Sequence, residues 1–205
     1  MLIKTLPVGH LETNCYIATD ESTLKCAVID PGAESNVILD YIESNNLAVE
    51  AIFLTHGHFD HTLALEAVME ATGAPAYINE NDIDSGAQYT PYPLKDIVGL
   101  HKYKEGDAFN VGGLVFRVIE TPGHSPGSVT LLCESVLFTG DTLFRGSCGR
   151  TDFAGGDMEQ MMVSLKRLSD LDGDFEVYPG HADSSTLGRE RTFNHYVILA
   201  NGESD

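Results

Sequence analysis

One seven-residue segment restricts the fold of this chain more than any other feature. Thr55-His56-Gly57-His58-Phe59-Asp60-His61 closes the unbroken apolar run AIFLTH (51–56) and opens a stretch with helical spacing. An apolar run without alternation is expected of a strand covered on both faces. The segment must therefore lie where a core strand gives way to a helix. Residues i, i+2 and i+4 of an extended backbone project to the same side. This lets His56, His58 and Asp60 converge above the strand end, and the turn into the helix swings His61 beside them. Imidazole and carboxylate suit zinc, and also iron or manganese. Four potential ligands in so short a segment exceed what one tetrahedral ion takes from it, so the spacing points to two ions side by side.

Three more candidates stand in tight turns after apolar strands, each preceded by glycine: His124 in ETPGHSPGS, Asp141 in VLFTGDTLF and His181 in VYPGHADS. A glycine there permits a sharp turn and a close approach of the backbone. Singly, each residue has an ordinary explanation. A histidine at a strand end is usually hydrogen-bonded at the surface, Asp60 would be a helix N-cap, and Asp141 a turn aspartate. Together they read as one metal site. That site uses five of the eight histidines and leaves His10, His101 and His195 to loops or solvent.

The rest of the chain supplies a frame for these turns. LIKTLPV, NCYIAT, KCAVID, PAYIN, LVFRVIE, SVTLLCE, SVLFTGD and EVYPGH are expected strands. Apolar spacing predicts a helix over 35–46 capped by Ser35. A second is predicted over 61–72, with Ala64, Ala67, Val68 and Ala71 as its buried stripe and Gly73 with Pro75 as its stop. A third is expected near 157–170 after a cap at Asp157, and 186–200 reads as a helix or turn-rich tail. Residues 81–105, with Tyr89, Pro91, Tyr92, Pro93 and Tyr103, read as a long loop able to wall a pocket. The order fits two mixed sheets packed face to face with helices outside: an α+β (α/β) chain, a four-layer αββα sandwich, in one domain spanning 1–205.

Charge excludes some partners. Lys and Arg number 12 against 31 Asp and Glu, a formal net charge of −19. That field repels phosphate backbones and anionic membranes, so neither nucleic acid nor membrane is an expected partner. The sequence shows no basic-then-apolar leader and no apolar stretch approaching the roughly 18 residues of a membrane helix. Cys15, Cys26, Cys133 and Cys148 form no CxxC pair, and a reducing, cytoplasmic setting is the expectation.

The metal motif, the three later Gly-His, Gly-Asp and Gly-His turns, and their order resemble the metallo-β-lactamase superfamily. NCYI (14–17), GDTLFRGSCGRTD (140–152) and STLGRERTFN (185–194) resemble its glyoxalase II-like, hydroxyacylglutathione hydrolase-like branch. The resemblance runs from about residue 3 to 200. It implies that His56, His58 and His124 hold one ion, that Asp60, His61 and His181 hold the second, and that Asp141 bridges them. The superfamily's β-lactamases generally carry cysteine or serine in place of Asp141, and its diiron electron-transfer members carry glutamate in place of His58. Both of those activities are set aside on that ground.

The implied cofactor is two divalent ions, zinc foremost, with iron or manganese as alternatives. A hydroxide shared by two such ions forms near neutral pH, and the expected reaction is hydrolysis of a small-molecule thioester or ester. A thiolate, with a pKa near 8.5, leaves without a strong general acid. Asp60 is the expected proton acceptor, Arg150 the grip for a substrate carboxylate, and Asp30, after the strand CAVID, the residue that orients a ligand histidine. Full-length glyoxalase II enzymes resemble this chain plus a helical C-terminal extension that supplies basic residues for glutathione. This sequence ends at residue 205, which points to a more open pocket and looser substrate choice. Lactone or ester hydrolysis and a mononuclear-iron persulfide dioxygenase are the alternative activities.

Overall fold

The computed structural model of the chain describes residues 1–83 and 94–202. Its first half runs β1 (Leu2–Val8), β2 (Thr13–Asp20), β3 (Lys25–Ile29), α1 (Ser35–Ser44), β4 (Ala48–Phe53), α2 (Phe59–Thr62), α3 (Leu65–Thr72), β5 (Ala76–Asn79) and β6 (Leu100–Tyr103). The second half runs β7 (Ala108–Val111), β8 (Leu114–Glu120), β9 (Val129–Cys133), β10 (Val136–Gly140), β11 (Leu143–Phe144) and β12 (Ser147–Cys148). It continues through α4 (Met158–Ser169), β13 (Glu176–Pro179), β14 (Ser185–Thr186), α5 (Leu187–Phe193) and α6 (His195–Ala200).

Among the described residues β1 to β6 form one sheet in chain order, antiparallel across β1–β2–β3 and parallel from β3 to β6. The second sheet has the order β14-β13-β10-β9-β8-β7, and only its β10–β13 pair is parallel. Period-two alternation divides the apolar residues among three cores. Cys15, Ile17, Val28 and Ile52 face outward, where Ile38 and Ile42 of α1 and Leu65 and Val68 of α3 cover them. Tyr16, Ala18, Ile29 and Phe53 face inward against Phe116, Val118, Leu131 and Phe138 of the second sheet. Leu137 and Val177, on that sheet's other face, meet Met161 and Leu165 of α4, Leu187 of α5 and Val197 of α6. The layers are thus helix, sheet, sheet, helix, as expected. Burial on both faces explains why β2 carries no polar alternation; all eight of its residues are buried.

Local expectations fare unevenly. Asp157 caps α4 by accepting from Glu159 N and Gln160 N, and Gly73 ends α3 at φ +69°. The predicted helix over 61–72 is instead two. The Ala64 amide leaves the helical ladder and donates to Pro31 O (3.0 Å), which breaks the run between α2 and α3. Ala67 and Ala71 are exposed, and the buried stripe is Ala64, Leu65 and Val68. Ser35 is the first helical residue of α1 rather than its cap; Glu34 holds the cap position in a left-handed conformation. The strand expected over 51–56 begins earlier, at Ala48, and ends at Phe53. The tail over 186–200 is two short helices parted at Asn194, whose side chain caps the second. Within 81–105, Tyr103 belongs to β6 rather than to a loop, and its buried hydroxyl donates to Leu54 O. Tyr89, Pro91, Tyr92 and Pro93, and with them most of the expected pocket wall, lie outside the described residues. Cys15, Cys26 and Cys133 are buried and unpaired.

This arrangement positions the site. β3 and β4 run parallel in the first sheet. β10 and β13 run parallel in the second, and β8, antiparallel to β9 as β10 is, shares their direction. The turns that follow these strands carry Asp30, His56, His124, Asp141 and His181.

Candidate metal centre

The turn after β4 carries His56 and His58 in extended or irregular backbone, whereas Asp60 and His61 belong to the first turn of α2. The expected i, i+2, i+4 projection from a strand therefore does not describe the segment: β4 ends at Phe53, His56 lies in a bend, and α2 delivers Asp60 and His61. His56, His58 and His124 gather in one group whose ligand atoms lie within 4.8 Å of one another; Asp60, His61 and His181 form another, and His56, His61 and Asp141 a third. Asp141 stands between the histidine groups. Its Oδ1 is 3.5 Å from His61 Nε2, and its Oδ2 is 3.5 Å from His124 Nε2 and 3.6 Å from His181 Nε2. Asp60 Oδ2 lies 3.5 Å from His61 Nε2 and 3.1 Å from His181 Nε2.

Ligand atoms at roughly 2.1 Å from a tetrahedral ion stand about 3.4 Å apart, close to most of these separations. Among the described residues, the buried atoms His56 Nε2, His61 Nε2 and Asp141 Oδ1 have no hydrogen-bond partner. Buried polar atoms in that state are costly, and three of them aimed at one centre fit a site built for cations. The seven residues named from the sequence are thus brought together, and their donor set fits metal binding.

Hydrogen bonds aim the rings. His61 Nδ1 meets Asp30 Oδ2 at 2.9 Å, while Asp30 Oδ1 accepts from Thr55 N (2.7 Å) and its Oδ2 from the Thr55 hydroxyl (2.6 Å). That hydroxyl oxygen lies 3.2 Å from His56 Nδ1. His124 Nδ1 meets the carbonyl of Arg150 (2.7 Å) and His181 Nδ1 that of Leu11 (3.1 Å). All four contacts turn Nε2 inward, the usual outer support of a ligating histidine. His58 differs: its Nδ1 faces His124 Nε2 at 2.8 Å. Gly180 closes the last turn, where a Cβ would lie 2.3 Å from Asp141 Oδ1 and 2.7 Å from His61 Cε1.

Burial, then the neighbouring imidazoles, hold His56 well below the usual histidine range; burial and His124 push His58 down to about 4. Both rings are neutral at pH 7, the form that binds metal. Burial acts downward on His61 too, but Asp30 and Asp141 outweigh it and raise it to about 9. Burial pushes Asp60 up, yet its contacts with His181 and His61 hold it well below the carboxylate range.

A cleft of about 310 Å³ opens over the centre, walled by Leu11, Phe59, Phe144, Arg150 and Phe153. Arg150 stands at this wall, but its guanidinium is exposed, bonds both Asp152 oxygens (2.9 and 2.8 Å) and lies 4.2 Å from the Phe153 ring centre. Several supporting groups were not anticipated. The Thr13 hydroxyl donates to Asp60 Oδ2 (3.0 Å). Asp82, fully buried after β5, accepts from Gly57 N (2.8 Å), Gly127 N (2.6 Å) and the Ser125 hydroxyl (2.6 Å). It thereby joins the turn of His56 and His58 to that of His124. Thr13 adjoins the NCYI motif, a usable signal; Asp82 had none.

The metallo-β-lactamase superfamily model matches residues 8–181. The chain belongs to that superfamily. One superfamily relative, hydroxyacylglutathione hydrolase GloC of Haemophilus influenzae, is 32% identical across 96% of this chain and 98% of its own. Among solved structures, BLEG-1, a B3 metallo-β-lactamase, superposes with a TM-score of 0.86 at 31% identity, covering 96% of this chain and 99% of its own. TTHA1623 in a di-iron-bound form gives 0.83 at 32% identity, covering 94% and 99%.

Proposed function

We propose that this protein is a dinuclear metallohydrolase that cleaves small-molecule thioesters. The observation that carries the reading is the pair of donor groups meeting at Asp141, with His56 Nε2, His61 Nε2 and Asp141 Oδ1 buried and unpartnered beneath a cleft of substrate size. His56, His58 and His124 would hold one ion and Asp60, His61 and His181 the other, with Asp141 touching both. Such ions supply a water of lowered pKa and an electrophilic contact for a carbonyl oxygen. The likeness to GloC supports a thioester substrate, and the di-iron relative supports two ions.

The chain's own residues do the remaining work. Asp30, Thr55 and the carbonyls of Leu11 and Arg150 fix the rings, so that little reorganisation accompanies reaction. Asp60 is ionised at neutral pH, lines the cleft, and has one oxygen held by Thr13 and His181. Held this far below the carboxylate range, it is a fixed anionic donor rather than the proton acceptor expected from the sequence. The proton released as the new carboxylate forms goes to the departing thiolate, the stronger base. Phe144 and Phe153 keep water from the reacting carbonyl. Arg150 can release Asp152 for a substrate carboxylate, because an exposed ion pair is weakly held.

Metal content per chain, measured beside a panel of thioesters, lactones, β-lactams and glutathione persulfide, tests this. Two ions and thioester turnover that stops with a chelator and returns with metal are expected. Turnover of lactones alone, or one iron per chain with oxygen uptake on the persulfide, overturns it. The likeness to BLEG-1 favours β-lactam hydrolysis as the second reading, although Asp141 departs from the residue its β-lactamases generally carry there.

A further inference from the structure

The cleft over the metal centre has a side lobe. Between the turn joining β1 to β2 and helix α2 lies a second hollow of about 360 Å³, and Leu11, Phe59 and Asp60 line both spaces. Val8, Ala33 and Leu63 complete the apolar walls of the lobe. Leu11 and Leu63 are 55% and 47% exposed, so two large apolar side chains stand in water beside the reaction centre. Exposed apolar surface gathered in a concave site marks a binding surface. The carboxylates around the lobe are Glu34, which accepts from Gly9 N (2.8 Å), and Asp60 itself, and His10 also lines it. The cation at the cleft, Arg150, lines the main space and not the lobe.

We infer that the substrate carries one uncharged apolar arm, an alkyl or aryl chain, and that this arm lies in the lobe over Leu11, Phe59 and Leu63. This rests on the thioester reading and narrows it. The scissile carbonyl sits at the centre, the second arm lies against Phe144, Phe153 and Arg150, and any carboxylate belongs to that second arm. A thioester with a negative charge on both arms is disfavoured, because one of those charges would face Glu34.

The test uses metal-loaded protein and two homologous series, one lengthening the acyl chain on a fixed small thiol, the other lengthening the thiol on a fixed acetyl group. Calorimetric binding of 2-alkanones of matching length supplies a readout without a scissile bond. In one of the two series kcat/KM is expected to rise about twofold to fourfold per added methylene, the range for partial to full burial of a CH₂ group, and ketone affinity should follow the same slope. Leu63→Glu is expected to abolish the slope and Leu63→Met to keep it. Flat series, with short thioesters still cleaved and ketone affinity independent of length, overturn the lobe assignment and leave the hydrolase reading intact. A slope that survives Leu63→Glu overturns it equally. Ketones that bind with the expected slope while no thioester is cleaved uphold the apolar lobe and strike the thioester reading instead.

Discussion

Replacing Asp82 by alanine removes the acceptor for two buried amides, Gly57 N and Gly127 N. The Ser125 hydroxyl keeps a second contact with Ser128 Oγ at 2.6 Å, so its loss counts for less. A buried donor left unsatisfied costs about 1–3 kcal/mol, and two of them give about 2–6 kcal/mol. That is a large share of the roughly 5–15 kcal/mol that holds a protein folded. Asp82→Asn is gentler. Its carbonyl oxygen can take the place of Oδ2 and keep Gly57 N and Ser125, while its amide meets the Gly127 amide donor to donor, a loss of about 1–3 kcal/mol. The metal consequence is selective. Asp82 ties the turn of His56 and His58 to that of His124, and the removal of such outer support lowers metal affinity by about 10- to 100-fold. The group Asp60, His61 and His181 has other supports and should change less. Urea unfolding of chelated protein measures the first effect, and metal occupancy across a chelator series measures the second. Asp82→Asn and Asp82→Ala that both match the parent protein in stability and in both affinities would refute this reasoning.

Two further outcomes follow from the same geometry. Gly180→Ala places a methyl group 2.3 Å from Asp141 Oδ1, so metal content should fall about 10- to 100-fold in affinity with the secondary structure by circular dichroism intact; full loading would contradict the close approach. Glu190 is buried and accepts from Gly146 N (2.6 Å), Asn194 Nδ2 (2.9 Å), Arg189 and Ser185. Burial pushes its carboxyl up, but these bonds prevail and hold it below the usual value. A folded-state value below the unfolded one contributes stability that is fully present above the unfolded value, about 4.3, and is lost as pH falls through the folded value. Thermal melts across that acid range should show a shallower decline for Glu190→Gln than for the parent chain, and identical acid limbs would exclude the assignment.

The sequence shows the centre clearly because its chemistry is local. His56, His58, Asp60 and His61 are close neighbours, and His124, Asp141 and His181 share one grammar, an apolar run followed by glycine and ligand. Asp30 was legible for the same reason, as an acid at a strand end. Asp82 was not. Its partners lie 25, 43 and 45 residues away, and a carboxylate in a polar loop carries no mark of burial. The break between α2 and α3 was equally hidden, since it depends on the carbonyl of Pro31 reaching Ala64. Ala67 and Ala71 misled for a simpler reason: small apolar residues are tolerated in water, and Leu65 and Val68 already cover the sheet. β6 was obscured because the middle of LHKY is polar and exposed at the sheet edge.

Leu11 and Arg150 each do two jobs with different atoms. Their carbonyls steady His181 and His124, while their side chains shape the entrance. Because every residue except a constrained backbone outlier offers the same carbonyl, positions 11 and 150 are open to exchange without disturbing the imidazoles. Selection for a new substrate could thus rewrite the doorway while the machinery behind it stays as it was.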